Sequence, residues 1–502
     1  MAENKREPLH IDLPPKWRKQ DKNNGTEMTE QLPTAKIITS GNHPLSPDMI
    51  SPNAYYVVKT LQEEGYQAYV VGGCVRDAFM GMMPKDFDVT TSATPEQVKA
   101  IFTHRALFIG KRFRIVHVKF GRPGSPSEEI IEVATFRGSA SQTPENGKQK
   151  VVANNLGMLV RDNNYGTMAE DAMRRDFTIN ALYYDPVKDE IHDFHGGIAD
   201  IARFRIDIIG DPVTRYSEDP VRMLRAVRFS AKLGMEITPR TATPIYRMGK
   251  LLREVSNARM FDEVGKLFLL GYARKTLNCM SAFNMLRQLF PHLDSILSSP
   301  SGSKYMKFIY RIMDETDRRI KEGGKPNSKF LYACLLWPTI ETDLDSTPEY
   351  ANAKTNQVRF KLLLSTANEA VSQQWQFTLI PKFVNEDMLS IWRVQLNLEG
   401  LYSEYGETIA ESVVKRCMSE RFFKASYDFL DYRSEVKPEL KPAVEFWGKM
   451  LALHPNFLPK RTASKPDNKK HDAKQFEAPA GVKKKATFAK KKSFAKPGRH
   501  ES

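Results

Sequence analysis

The spacing of apolar and polar residues predicts strands in the first third of the chain. Residues 114–120 and 129–136 alternate apolar and polar positions on either side of a turn rich in Gly, Pro and Ser, which predicts two paired strands. Residues 67–75 begin as an apolar strand that breaks at Gly72-Gly73. Ser51-Pro52 carries the residue types that begin helices. This part of the chain therefore predicts a mixed sheet with helices.

A helical periodicity replaces this pattern from about residue 168 to the 450s. Strand patterns are few there, apart from residues 181–185 and the following 190–194. The densest apolar run, residues 330–337, is too short to span a membrane and predicts a buried helix. The fold class expected is multidomain α+β, with a mixed α/β head followed by an all-helical body.

Composition and charge narrow the class of protein. A chain of 502 residues is too long for one core, which predicts two to four domains. The net charge of +15 indicates an anionic partner. Four scattered cysteines are typical of neither a disulfide scaffold nor a metal knuckle, and they favour a reducing cytosol. The basic, polar first residues lack the apolar stretch of a secretory signal.

The tail from Lys460 onward is the most basic part of the chain. It holds fourteen Lys and Arg against four Asp and Glu, which predicts a disordered segment. Two lysine triplets flank Phe488, and Phe494 follows, so an RNA-binding arm is favoured over a solubilising tail or an anionic membrane contact. The triplets are Lys483, Lys484, Lys485, Lys490, Lys491 and Lys492.

Three carboxylates form a candidate metal site. Asp86 and Asp88 are two apart in a predicted strand, so their side chains point to the same face. Two carboxylates so placed repel each other unless a cation lies between them. Glu132, within another predicted strand, is available as a third ligand. By itself the Asp-x-Asp pattern is weak evidence for a metal site, because most such pairs are solvated residues at strand edges.

Upstream residues add a candidate phosphate site. Gly72-Gly73 at a strand end would let backbone N–H groups approach a phosphate closely. Arg76, within one turn, would add positive charge. The alternative is an ordinary strand-to-helix turn in which Arg76 pairs with Asp77 or Asp86.

Two downstream clusters add arginines and further carboxylates. Arg174 and Arg175 suit triphosphate oxygens. Asp176 and Asn180, four residues apart, would share a helix face and reach a ribose. The alternative for this cluster is a set of surface salt bridges.

Asp219 and Arg222 are three residues apart in a predicted helix. On one face, Arg222 would donate to a base edge and Asp219 would accept from it. The alternative is a helical ion pair, such as Glu218 with Arg222.

These segments together resemble the class II nucleotidyltransferases, which comprise bacterial poly(A) polymerases and CCA-adding enzymes. The resemblance is specific over residues 50–250 and looser to about 450. It implies a polymerase beta-like head followed by an all-α neck and body. It also implies that Asp86, Asp88 and Glu132 hold metal and act in catalysis with Asp176. The nucleotide-binding residues that it implies are Gly72, Gly73, Arg76, Arg174, Arg175, Asn180, Asp219 and Arg222.

Within this family, residues 108–118 are similar to the segment that marks bacterial poly(A) polymerases, with His117 in place. The function expected is template-independent transfer of AMP from ATP to RNA 3′ ends, in mRNA polyadenylation and RNA decay. Two Mg²⁺ ions are implied, with Mn²⁺ as a substitute. The alternatives are a CCA-adding tRNA nucleotidyltransferase and a non-catalytic RNA-binding protein.

The expected organisation has five parts and a cytoplasmic location. They are a flexible leader (1–45), a catalytic head (46–185), a neck with the base-recognition helix (186–250), an all-helical RNA-binding body (251–455) and the lysine-rich tail (456–502).

Overall fold

A computed structural model describes most of the chain and divides it into two compact units. The described residues are 32–84, 86–110, 114–122, 124–125, 128–138, 152–153, 159–161, 165–300, 302–353 and 355–459. The first unit extends to Pro338 and takes in Phe377–Leu379 and Glu435–Pro438. The second comprises the remaining described residues. The division falls within the helix Ser328–Asp345 rather than near residue 250, where the sequence predicts that a body begins.

Most strands lie in one mixed sheet of the first unit. In chain order they are β1 (Lys36–Ile38), β2 (Ala68–Val71), β3 (Asp88–Thr91), β4 (Ala106–Ile109), β5 (Ile115–Phe120), β6 (Glu129–Thr135), β7 (Val152–Ala153), β8 (Leu159–Arg161), β9 (Leu182–Asp185), β10 (Glu190–Asp193), β11 (Arg205–Ile206) and β12 (Glu236–Ile237). Eight of these form a sheet in the order β1-β10-β9-β2-β3-β6-β5-β4. Within this sheet β3 and β6 are parallel, and the other neighbours are antiparallel.

The sheet confirms the predicted strands and corrects two boundaries. The predicted β5 and β6 pair with each other, and β2 ends directly before Gly72, whose φ of +84° favours glycine. The strand predicted from Asp86 begins only at Asp88. The leader predicted to be flexible to residue 45 is wrong in its last part, because Lys36–Ile38 adds β1 to the sheet edge.

Helices make up the rest of both units. They are α1 (Pro52–Glu63), α2 (Gly73–Phe79), α3 (Pro95–Phe102), α4 (Met168–Arg174), α5 (Gly197–Ala202), α6 (Pro212–Glu218), α7 (Val221–Leu233), α8 (Pro239–Met248), α9 (Asn257–Phe268), α10 (Ala273–Ala282), α11 (Leu286–Leu289), α12 (Pro291–Leu297), α13 (Gly302–Lys321), α14 (Ser328–Asp345), α15 (Pro348–Ala351), α16 (Asn356–Gln374), α17 (Lys382–Tyr405), α18 (Glu411–Met418), α19 (Phe423–Arg433) and α20 (Lys441–Leu453). The predicted cap of α1 is confirmed, since the Ser51 hydroxyl accepts a hydrogen bond from the Asn53 backbone N–H at 3.2 Å.

Each unit has its own apolar core. In the first, the inner strands β2 and β9 are buried along their whole length, which places the polar ends of β3 and β6 beside a rigid sheet centre. In the second, helices α17 to α20 pack around the fully buried Trp447. The apolar run at residues 330–337 is buried within α14, as predicted. No helix in the described residues has the length and apolar character needed to cross a membrane.

Candidate active site

A cleft of about 760 Å³ in the first unit contains most of the side chains selected from the sequence. Its volume lies within the range of pockets that hold small-molecule ligands. The carboxylates that line it are Asp88, Glu132, Asp171, Asp176, Glu218, Asp219, Asp262 and Glu263. The cations that line it are Arg137, Arg174, Arg175, Arg222, Arg225, Arg259 and Lys266. Such a surface suits a ligand that is itself multiply charged.

Two neighbouring strands place Asp88 beside Glu132. Asp88 begins β3, and the parallel ladder pairs it directly with Glu132 of β6. Residues paired in this way project to the same face of a sheet. The Nε2 atom of His117, on the other side of β6, lies 3.1 Å from Oε1 of Glu132. The two carboxylates that the sequence separates by 44 positions therefore meet at one edge of the cleft.

Burial and a nearby like charge change the pKa of Asp88. Its pKa rises from 3.8 to about 6, first because the surrounding protein removes part of its hydration and then because Glu132 is close. Arg175 opposes this rise, and Asp86 adds to it. Although the Asp88 side chain is open to the cleft, its ionised form is therefore disfavoured without a cation.

This donor set has the chemistry that Mg²⁺ prefers, because its ligands are hard carboxylate oxygens. Asp88 and Glu132 would hold the ion, and the charge of Asp86 is near enough to act on Asp88. Asp86 precedes β3, so the strand does not fix the direction of its side chain as the sequence predicted. Within the described part of the chain, no three acidic, His or Cys side chains already form a metal-binding group. The three-carboxylate site stays a prediction.

Asp176 is partly buried, and both of its carboxylate oxygens accept hydrogen bonds. Its Oδ2 atom accepts a hydrogen bond from Nε of Arg225 at 2.7 Å, and its Oδ1 atom accepts from Nδ2 of Asn180 at 3.1 Å. Burial alone would raise the pKa of Asp176, but the charge of Arg225 and these hydrogen bonds lower it to about 2. Asp176 and Asn180 do meet, although not on a helix face, because Asn180 lies in a short 3-10 turn.

Arg174 and Arg175 both line the cleft, and hydrogen bonds to neighbouring residues hold each side chain in place. Nη1 of Arg174 donates to the carbonyl oxygen of Gly138 at 2.6 Å. Nη2 of Arg175 donates to Oδ2 of Asp171 at 2.9 Å, and its Nε donates to the Tyr183 hydroxyl at 2.8 Å. Burial, followed by the charges of neighbouring arginines, lowers the pKa of Arg174 to about 10. Anions that enter the cleft would relieve this repulsion.

The predicted phosphate-binding turn, Gly72-Gly73, does not contribute to the surface of the cleft. Val71, rather than Gly72 or Gly73, contributes to the surface of the cleft. The Gly72 N–H donates to the carbonyl oxygen of Leu182 at 3.3 Å. Arg76 is buried, and its Nη1 donates to Oδ1 of Asn180 at 2.5 Å.

Arg76 also contacts its neighbour in sequence, because its Nε donates to Oδ1 of Asp77 at 2.8 Å. Pairing with Asp77 is the alternative to phosphate binding that the sequence analysis gave for Arg76. In this conformation its guanidinium supports Asn180 rather than facing the cleft.

Asp219 and Arg222 line the cleft but do not share a helix, which corrects the sequence prediction. Asp219 ends α6, and Arg222 lies in the first turn of α7, because Pro220 separates the two helices. Nη1 of Arg222 donates to Oε2 of Glu218 at 3.0 Å, which is the predicted alternative ion pair. Oδ2 of Asp219 instead accepts from Nη2 of Arg259 at 2.9 Å.

Several residues that line the cleft were not selected by the sequence analysis. Arg225 follows Arg222 by three residues in α7, so helical spacing alone could have indicated it. Arg259 and Lys266 come from α9, some 40 residues further on, and no local pattern connects them to Asp219. The predicted RNA-binding lysines 483–485 and 490–492 lie outside the described residues.

The raised pKa of Asp88 predicts a stability that depends on pH and on metal. A carboxyl whose pKa is raised in the folded chain contributes stability below its ordinary value near 4, and this contribution is lost as pH rises through about 6. In EDTA, the Tm of the wild type should therefore fall more than that of Asp88→Asn as the pH rises from about 4 to about 7. Mg²⁺ should raise the wild-type Tm most above pH 6 and the variant Tm little. Identical pH profiles would contradict this assignment.

Three segments of the chain match models of known protein families. Residues 68–207 match "Poly A polymerase head domain". Residues 234–297 match "Probable RNA and SrmB- binding site of polymerase A". Residues 357–491 match "Polymerase A arginine-rich C-terminus".

Individual proteins show the same relationship. Poly(A) polymerase I of Escherichia coli O6:H1 is 39% identical over 438 residues, which cover 86% of this chain and 88% of that protein. The CCA-adding enzyme of Bacillus pumilus is 33% identical over 262 residues, which cover 52% of this chain and 60% of that protein. The fold is similar to the solved apo form II of a CCA-adding enzyme, with a TM-score of 0.54 and 19% identity over 79% of this chain and 84% of that one. The chain therefore belongs to the poly(A) polymerase family of nucleotidyltransferase enzymes.

Proposed function

We propose that this enzyme adds AMP from ATP to the 3′ ends of RNA without a template. The observation that carries the proposal is the pairing of Asp88 with Glu132 at the edge of a nucleotide-sized, arginine-rich cleft. A relative named poly(A) polymerase I that aligns over 86% of the chain supports the same activity. A role in RNA processing and decay is part of this proposal.

The reaction is an in-line displacement at the α-phosphate of ATP. The RNA 3′ oxygen forms a new phosphodiester bond to the α-phosphorus, and the bond from that phosphorus to the bridging oxygen breaks, which releases pyrophosphate. When bound, two Mg²⁺ or Mn²⁺ ions supply the Lewis acidity that activates the hydroxyl and neutralises the leaving group. Asp88 and Glu132, with Asp86, are the residues that would hold them.

The arginines of the cleft position the triphosphate. Arg174 and Arg175 present guanidinium groups to the cleft from anchored side chains, so little conformational entropy is lost when a phosphate binds. Asp176 keeps Arg225 in place through its carboxylate and is itself held by Asn180. Their shared role is to orient the nucleotide so that the α-phosphate faces Asp88.

Base choice is assigned to Asp219 and Arg222. With no template strand, hydrogen-bonding groups of the protein must distinguish adenine from the other bases. Both side chains line the cleft, and each is currently paired with another residue, Arg259 and Glu218 respectively. A base that leaves either group without a hydrogen bond costs free energy, which is the basis of selection.

A CCA-adding activity is the second candidate, since a CCA-adding enzyme is 33% identical to this chain. That similarity covers 52% of the chain, whereas the similarity to poly(A) polymerase I covers 86%. The longer match favours the poly(A) polymerase reaction.

Separate nucleotide assays distinguish the two reactions. With a generic RNA primer and one nucleotide at a time, we expect AMP to be incorporated faster than CMP by about 10-fold or more. Arg222→Ala should reduce this preference, because it removes a donor to the base. Extension of the primer by CTP at a rate comparable to ATP would refute the poly(A) assignment and support the CCA-adding one.

The tail is assigned a supporting role in RNA binding. From Lys460 onward it carries twelve lysines and two arginines, and its net charge is +10 of the chain's +15. Contacts between these cations and RNA phosphates would release counterions and make binding depend on salt.

Deletion of residues 460–502 should therefore make RNA binding less dependent on salt. The slope of the logarithm of the RNA association constant against the logarithm of salt concentration should become shallower by about 0.7 for each lost phosphate contact to single-stranded RNA. A variant of the same length that replaces the six triplet lysines with Gln should flatten the slope in the same direction but by less, because eight of the fourteen cations remain. If the deletion leaves the slope as it is, the tail has no part in RNA binding.

A further inference from the structure

A second cavity lies beside the cleft in the same unit. It has a volume of about 210 Å³, and Lys266 lines both cavities. Its cationic lining consists of Arg228, Lys232 and Lys266, while Phe229 and Leu270 are among its apolar members. No carboxylate in the described residues contributes to its surface. We call this cavity the side pocket.

Helix α7 connects the side pocket to the cleft. Arg222 and Arg225 line the cleft, and Arg228 and Lys232 line the side pocket. These residues follow one another at intervals of three, three and four, so they form one stripe along the helix. The seven steps from Arg225 to Lys232 extend about 10 Å along the axis. A cationic track therefore leads out of the cleft.

Arg228 differs from the other cations of this track. Lys232 is paired with Asp77 at 3.0 Å, and Lys266 is paired with Glu263 at 2.9 Å. Arg228 has no ion-pair partner among the described residues, and its Nε is buried without a hydrogen bond.

Its environment makes this state costly. Burial, followed by the charge of Arg225, lowers the pKa of Arg228 to about 10, so it remains charged at neutral pH. The charges of Glu263 and Asp176 partly oppose this shift, but neither carboxylate forms an ion pair with Arg228. A partly buried cation without a direct ion pair is unfavourable, which indicates a place for an anion.

A second polar group in the side pocket is also unsatisfied. Thr276, from α10, is 1% exposed, and its hydroxyl has no hydrogen-bond partner. It lines the same cavity as Arg228. A buried hydroxyl without a partner costs free energy in the same way. Two residues from different helices that line the side pocket thus each carry a polar atom without a hydrogen-bond partner.

We propose that the side pocket binds a backbone phosphodiester of the RNA substrate, upstream of its 3′ end, an inference that rests on the function proposed above. Arg228 and Thr276 donate hydrogen bonds to the phosphate oxygens, and Lys232 and Lys266 add positive charge. The volume is below the range of pockets that enclose whole small-molecule ligands, so the pocket takes one group of a larger molecule.

RNA is favoured over the triphosphate of ATP for two reasons. The cleft already provides its own arginines for the triphosphate. Lys266, Leu270 and Thr276 also lie within residues 234–297, the segment that matches the RNA-binding family model. Leu270 is 51% exposed, so the pocket has an apolar edge against which a ribose or base can pack.

Equilibrium binding of a short oligo(A) RNA, measured by fluorescence anisotropy without ATP, tests the proposal. Arg228→Ala should weaken binding about 10-fold, as expected for a lost hydrogen bond to a charged group. Its salt slope should fall by about 0.7, the value for one phosphate of a single strand. Thr276→Val, which keeps the shape of the side chain, should weaken binding about 5-fold. Arg205→Ala, at an exposed arginine of β11, is the matched control and should bind like the wild type.

Primers that carry one neutral methylphosphonate identify the phosphate. With the methylphosphonate at one particular linkage, Arg228→Ala and the wild type should bind the primer equally. With the methylphosphonate at any other linkage, Arg228→Ala should still bind more weakly than the wild type. Unchanged RNA affinity in both Arg228→Ala and Thr276→Val would overturn the proposal, and Thr276→Val decides alone if the arginine variant does not fold. A raised KM for ATP with unchanged RNA affinity would also overturn it and assign the pocket to the nucleotide. A wild-type enzyme that binds RNA but adds no AMP would refute the proposed function and leave this binding test valid.

Discussion

The repulsion between Asp88 and Glu132 is the interaction on which the proposed active site depends. The parallel pairing of β3 with β6 forces the two carboxylates to the same face of the sheet. The ladder fixes the two backbone positions side by side, and β2, the neighbour of β3 on its other side, is buried along its whole length. Loss of hydration is the larger cause of the raised pKa of Asp88, and the charge of Glu132 is the second. A divalent cation between the two carboxylates would relieve their repulsion.

The arginines around this pair form ion pairs with other carboxylates that line the same cleft. Asp171 holds Arg175, Asp176 holds Arg225, and Glu218 holds Arg222. Each pair fixes a long cationic side chain in one orientation before a ligand arrives, which lowers the entropic cost of binding a phosphate. Arg228 lacks such a partner in the described residues, which is why we propose that a phosphate of the RNA would complete the pair.

The sequence predicted most strands, the start of α1 and seven of the residues that line the cleft, because alternation, caps and short motifs are local features. It failed where position depends on tertiary structure. The strand Lys36–Ile38 is too short to be recognised alone and exists because β10 offers it an edge. The pair Asp219 and Arg222 was assigned to one helix, although Pro220 divides it. Arg259 reaches Asp219 from a distant helix, which no local pattern can indicate.

A crystal of the enzyme soaked with Mn²⁺ tests the central claim most directly, because the anomalous signal of manganese locates the ion independently of activity. The account predicts a peak within coordination distance of carboxylate oxygens of both Asp88 and Glu132, and its loss in the Asp88→Asn enzyme. Manganese bound elsewhere in the cleft with neither carboxylate as a ligand would contradict it.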